Sequence, residues 1–228
     1  MACCHKHNEV EYPPDTIDEP TRSSLQCLSD TFNFDALEME IAKNEEIALV
    51  LLKNKFVEKV VERLGERTLP SVVFDKFVEQ AINMLSTIAK TKYGVYLLPS
   101  NTFYCFIPFA FDSNVSMECI YAILSTFCEL IIDEESALII MNYHIFPLVM
   151  IWLEFGNEKC IEICLQILNK LFRVQKIVDF ACSSQEKIDE FMKIIQPLQK
   201  NLNYRKMVNT LISSLSKNDL FSSQSQTL

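Results

Sequence analysis

Glycine is nearly absent, with three in 228 residues against a usual share of ~7%. Nucleotide-binding βαβ units, phosphate-cradling loops and tight β-turns all draw on glycine's backbone freedom. Gly65, Gly94 and Gly156 each stand alone, outside any dinucleotide or Walker spacing. Such a chain reads as helices joined by short polar turns. Histidine is also scarce, at three, and His5 and His7 lie at the extreme N-terminus. Only His144 stands within the apolar, helix-patterned stretch as a base for a nucleophile. Cys160 and Cys164 are its conceivable partners, but both fall on an apolar helical face. Asp133, Glu134 and Glu135 are consecutive, so they splay around a helix start instead of converging across a cleft as acid–base work requires. No catalytic residue and no cofactor is expected.

Basic residues are in deficit: 21 Lys and Arg against 30 Asp and Glu, a net charge of −9. That argues against a general nucleic-acid binder, whose affinity comes from lysine and arginine. The deficit is uneven. Residues 1–50 hold 11 acidic and 3 basic side chains, 51–92 are +3, 93–162 are −8, and 165–217 are +5. Sign changes of this kind can steer partners, although exposed charge is more often plain solvation.

Hydrophobic residues make up 49% and charged residues 22%, ample for a buried core. The nine cysteines are odd in number and mostly sit in apolar helical runs (Cys119, Cys128, Cys160, Cys164), as small buried hydrophobes do in a reducing compartment. The first twenty residues are polar and acidic, with Pro13, Pro14 and Pro20, unlike a signal sequence. A cytoplasmic or nuclear protein is expected. Cys3, Cys4, His5 and His7 are metal-binding residue types, but adjacent ligands cannot wrap one tetrahedral ion without a longer loop or a further ligand such as Cys27. The plainer reading is an exposed tail, and no metal site is expected. Val95–Phe111 and Ser136–Leu153 lack charge over a near-membrane length, yet Pro99–Thr102 and Asn142–His144 with Pro147 interrupt them where turns between buried helices would fall. No membrane span is expected.

Apolar periodicity divides the chain into an acidic, flexible or loosely docked arm (1–33), a helical repeat domain (34–217) and a Ser/Gln-rich tail (218–228). Within the repeat domain, four long amphipathic helices end in similar words: Met84-Leu85-Ser86-Thr87-Ile88, Ile123-Leu124-Ser125-Thr126-Phe127, Ile167-Leu168-Asn169-Lys170-Leu171 and Leu211-Ile212-Ser213-Ser214-Leu215. Their starts lie 39, 44 and 44 residues apart. A shorter apolar helix precedes each, at 56–64, 103–111, 145–153 and 188–198. A further short helix is expected at 45–53, 93–98 and 134–141, with a less distinct one near 176–182.

This period, with two or three helices per unit, resembles the armadillo/HEAT-like repeat superfamily. The third unit carries the likeness most openly: Ile145-Phe146-Pro147-Leu148-Val149, a turn at Gly156-Asn157, then Cys160 to Phe172, is similar to the second and third armadillo helices. The first two units, through Glu45–Leu51, the Phe56–Leu64 helix and Met84–Ala89, also resemble serum amyloid A-like proteins of armadillo type. The resemblance implies an all-α fold, a right-handed α-solenoid of about four armadillo-like repeats.

In a solenoid the last helices of successive repeats line a concave face that suits an extended ligand. The corresponding positions are Asn83 and Thr87, Ala122 and Thr126, Gln166 and Lys170, and Thr210 and Ser214. Nuclear-import armadillo proteins carry a tryptophan/asparagine ladder at such places; Trp152, the one tryptophan, falls on a second helix, so import-signal recognition is not implied. A second candidate is the aromatic run Phe103, Tyr104, Phe106, Phe109 and Phe111, which cannot share one narrow helical stripe. Either neighbouring helices cover both sides, or one side is an exposed patch for a protein partner or a homodimer.

The resulting expectation is a non-catalytic adaptor or scaffold that binds a protein through the groove or the aromatic patch. A second reading is an armadillo-type cofactor of an Hsp70 chaperone that promotes nucleotide exchange. A third is a nucleic-acid-associated HEAT-like subunit, supported only by Lys193, Lys200, Arg205 and Lys206 in the basic last unit.

Overall fold

Helices begin where the sequence offers a cap. Asp18, Asn33, Ser116, Asp133, Asn157 and Ser184 each place a side-chain oxygen on the backbone N–H three residues on, satisfying a donor that the first turn leaves unpaired. At Asp133 the cap is reciprocal, because the Ser136 hydroxyl also accepts from the Asp133 N–H. The computed structural model describes residues 13–14, 16–65, 72–94, 101–111, 115–143 and 145–218, with the side chains of 72–75 and 101–105 outside that set. Among the described residues there are thirteen α-helices and no strand, so the chain is all-α.

Two units, Met1–Thr102 and Phe103–Leu228, make up the chain. The first contains α1 (Glu19–Asp30), α2 (Phe34–Lys43), α3 (Glu46–Lys53), α4 (Phe56–Gly65) and α5 (Val72–Lys90). Helix α3 is apolar on every side, and Ile47 to Leu52 are all buried. It needs cover all round, which α1, α2 and α4 supply. Phe32, Phe34, Phe56 and Phe77 cluster with ring centroids 5.4–6.2 Å apart, joining the α1–α2 turn to α4 and α5. Phe32 holds φ 49° to make that turn, a left-handed conformation that is rare for a bulky residue.

The stretch 1–33, expected to be a flexible or loosely docked arm, contains α1. Asp18 caps it and Pro20 occupies its first turn, where the missing proline N–H costs nothing. Leu25, 1% exposed, belongs to the core, and α1 packs on α2 and α3. The weak apolar periodicity before Phe32 hid this helix. Residues 1–12, with Cys3, Cys4, His5 and His7, lie outside the described residues, as do most of the helix expected at 93–98 and His144.

The second unit contains all but the first two residues of α6 (Asn101–Ala110), with α7 (Met117–Leu130), α8 (Glu134–Met141), α9 (Ile145–Phe155), α10 (Glu158–Leu171), α11 (Gln175–Ala181), α12 (Gln185–Gln199) and α13 (Arg205–Leu215). Most of α6–α13 fall where the spacing places them, and the echoing words stand at or near the ends of α5, α7, α10 and α13. Helix α10 packs against both α7 and α13, while α9 packs against α10 and α12.

Candidate functional site

A largely apolar concavity lies beside α9 and α12. Helix α9, Ile-Phe-Pro-Leu-Val-Met-Ile-Trp-Leu-Glu-Phe, carries more apolar surface than one core contact can use. Ile145, Leu148, Val149 and Leu153 are buried, which leaves Phe146, Met150 and Ile151 on a second face. On α12 the buried stripe is Ile188, Phe191 and Ile195, flanked by Lys187, Glu190, Ile194 and Leu198. Phe191 forms the floor: its ring stacks on Phe146 at 6.3 Å and 17° between planes, and meets Phe172 at 5.6 Å.

The result is a groove of about 470 Å³ lined by Met141, Phe146, Pro147, Met150, Ile151, Phe180, Phe191 and Ile194, with Glu154, Lys187 and Glu190 among its polar walls. It continues past Glu154, Glu190 and Ile194 into a second hollow of about 340 Å³ with Leu153, Lys193, Pro197 and Leu198. Phe180 is 53% exposed, a large cost in water-facing apolar area unless something covers it. The Lys187 ammonium lies 4.4 Å from its ring centroid and also donates to Ser183 Oγ at 2.9 Å. Mostly apolar walls with a few fixed charges suit recognition of an apolar-faced ligand.

The positions expected to form a polar ladder have different environments. Asn83 and Thr87 are half-buried on α5 in the first unit. In the second unit, Thr126 is a correction: it is 0% exposed, and its hydroxyl donates back to the Ala122 carbonyl at 2.7 Å. The packing of α10 on α7 covers the face that the period alone left open. Gln166 and Lys170 lie on the same α7–α10 seam. Lys170 Nζ donates to the Cys128 carbonyl at 2.6 Å, and Cys128 Sγ approaches Gln166 Oε1 at 3.9 Å. Thr210 and Ser214 sit on the outer side of α13, donating to carbonyls of their own helix, beside Arg205, Lys206, Asn209 and Lys217 on a shallow polar surface.

Of the two alternatives left open for the aromatic run, burial holds for Phe106 and Phe109. Phe106 is 0% and Phe109 5% exposed, and Phe106 meets Phe127 edge-on at 6.3 Å. These two rings fill the core and do not form a contact patch. Phe111 is about half exposed; the side chains of Phe103 and Tyr104 lie outside the described residues. The groove beside α9 was missed because Phe146, Met150 and Glu154 on α9 face Lys187, Glu190 and Ile194 on α12 from some forty residues away. The signal within reach was α9's excess of apolar faces.

Burial pushes the Cys128, Cys160 and Cys182 thiols up, and the Cys164 thiol far up, away from the thiolate that nucleophilic or metal chemistry uses. Among the described residues no group of three or more His, Cys, Asp or Glu side chains is placed to hold a metal ion. No single described helix is long and apolar enough to cross a membrane, and α8 with α9, which together have the composition, are bent by 80°. No protein-family model and no curated protein matches the sequence.

Proposed function

We propose that this protein is a non-catalytic adaptor, built as an armadillo-like α-solenoid, that holds a protein segment in the groove beside α9 and α12. The observation that carries the docking reading is the groove itself: apolar walls, an exposed Phe180 and polar residues arranged along a helical stripe. The repeat reading draws support from bonds between residues separated by about one period. Lys170 to Cys128 spans 42 residues, Trp152 Nε1 to the Ala110 carbonyl 42, Asn169 Nδ2 to the Met207 carbonyl 38, and Tyr204 to the Glu158 carbonyl 46. These separations bracket the 44-residue spacing of the last echoes, as expected where each helix pair shields its apolar face on the next.

Affinity capture from the native cell with the wild-type chain and with Phe180→Glu and Ile194→Glu tests the docking reading. Both substitutions fall on exposed or half-exposed positions, so the thermal transition stays within a few degrees of wild type. The expected result is loss of a common partner from both variants. Capture unchanged by either substitution overturns the reading.

A further inference from the structure

Charge does not choose what covers the groove, because Glu154 and Glu190 along its two hollows are matched in number by Lys187 and Lys193. Its apolar rim and the course of the chain do. Asp179 and Phe180 are both exposed on α11, while Ile177, Val178 and Ala181 are buried. Phe180 lies on the rim of the groove. Asp179, its neighbour, holds the point where the chain leaves α13. The Asn218 N–H closes on the Leu215 carbonyl at 2.9 Å, and Asn218 Nδ2 donates to Asp179 Oδ1 at 3.0 Å.

Asp219, Leu220 and Phe221 come next, followed up to Leu228 only by Ser, Gln and Thr. Leu220-Phe221 is therefore the one apolar pair on this stretch. Phe221 stands three residues beyond Asn218, a reach of at most ~10 Å, and Phe180 is one Cα step of about 3.8 Å from Asp179. No helix has to move for the pair to meet Phe180. Packing the pair on the rim takes apolar area of both partners out of water. A pair tethered this closely meets the groove at an effective concentration on the order of millimolar. A separate partner or a second copy matches that only when abundant.

We propose that Leu220 and Phe221 fold back past Asp179 into the groove beside α9 and α12 and cover it until a partner displaces them. This deepens the proposed function by giving its groove a built-in competitor, and it rests on that groove being the docking site.

The test compares the full chain with the same chain carrying Leu220→Glu and Phe221→Glu. Methyl resonances of Met141, Met150, Ile151 and Ile194 report on the groove wall, and those of Ile82 and Met84, buried in the first unit, serve as controls. The groove methyls should shift in the variant as the Phe221 ring is withdrawn, and the controls should not. Capture at limiting partner should rise roughly tenfold, as where the covered state leaves the groove open about a tenth of the time. Groove methyls at their wild-type positions overturn the proposal; capture still lost with Phe180→Glu then leaves the docking reading standing. Methyls that shift with no gain in capture overturn the competition. Capture indifferent to Phe180→Glu and Ile194→Glu removes the docking reading, and the competition falls with it. A methyl difference that fades on dilution puts the tail of a second copy in the groove and overturns the intramolecular contact.

Discussion

Lys170 reaches from α10 to the carbonyl of Cys128, 2.6 Å away, in the last turn of α7. The last four carbonyls of a helix have no intrahelical donor, and the helix end carries partial negative charge. A lysine there satisfies the acceptor and complements the dipole at once, while joining two stacked helices. The residue expected to meet a ligand is therefore a fastening between α7 and α10.

Lys170→Met, which keeps the aliphatic stem and removes the ammonium, should lower unfolding free energy by about 1–2 kcal/mol. Denaturant titration at neutral pH measures this. Unchanged stability would mean that the lysine contributes nothing to the seam.

The sequence made the helices legible because apolar period and caps are local properties. Asp133 followed by Ser136, and Asn157 after Gly156, mark starts that need no knowledge of tertiary structure. Which faces become groove and which become core is not local. Thr126 and Lys170 occupy equivalent places in two echoes, yet one is 0% exposed and the other is only partly buried. Neighbouring helices cover their faces unequally, and a single repeat does not encode that. Phe106 and Phe146 look alike in sequence, but one meets Phe127 in the core and the other borders the groove with Phe191 below it.

Two glycines should respond oppositely to alanine. At Gly156, between α9 and α10, an added Cβ would lie 2.3 Å from the Trp152 carbonyl oxygen and 2.9 Å from Cys160 Cβ. The first obstacle is backbone and cannot swing away, so Gly156→Ala should destabilise by about 1–3 kcal/mol. At Gly65, in the last turn of α4, a Cβ meets nothing within 4 Å. Gly65→Ala should stabilise by up to about 1 kcal/mol through helix propensity and a less flexible unfolded chain. Thermal melts of the two variants decide this, and a stabilised Gly156→Ala would contradict the turn geometry.

Phe106 and Thr126 should behave as core residues and not as binding residues. Removing the buried ring in Phe106→Ala should cost about 3–5 kcal/mol. Thr126→Val removes a hydroxyl whose acceptor is the carbonyl of its own helix four residues back. That substitution should lie within about 1 kcal/mol of neutral and leave partner capture unchanged. Chemical denaturation of both, with capture by the Thr126 variant, checks the assignment. Partner loss with Thr126→Val would restore Thr126 as a contact residue.

Acid titration should separate two carboxylates by sign. The Ser136 N–H and hydroxyl hold the Asp133 carboxyl below its ordinary value, so its contribution is fully present above the usual aspartate range near ~4. That contribution is lost as pH falls through the depressed folded-state value. Glu38 on α2 is shifted upward, first by burial and then by Asp35. Its protonated form suits the fold, so the benefit exists at low pH and disappears as pH rises through the raised folded-state value. Glu38→Gln should therefore stabilise the protein at pH 7 and have little effect at pH 3. Asp133→Asn, which keeps a capping oxygen, should reduce the loss of stability below pH 4. Urea midpoints between pH 3 and 7 for wild type and both variants measure these slopes. A Glu38→Gln chain less stable than wild type at pH 7 would show that the ionised carboxylate is favoured in the fold, contrary to its burial.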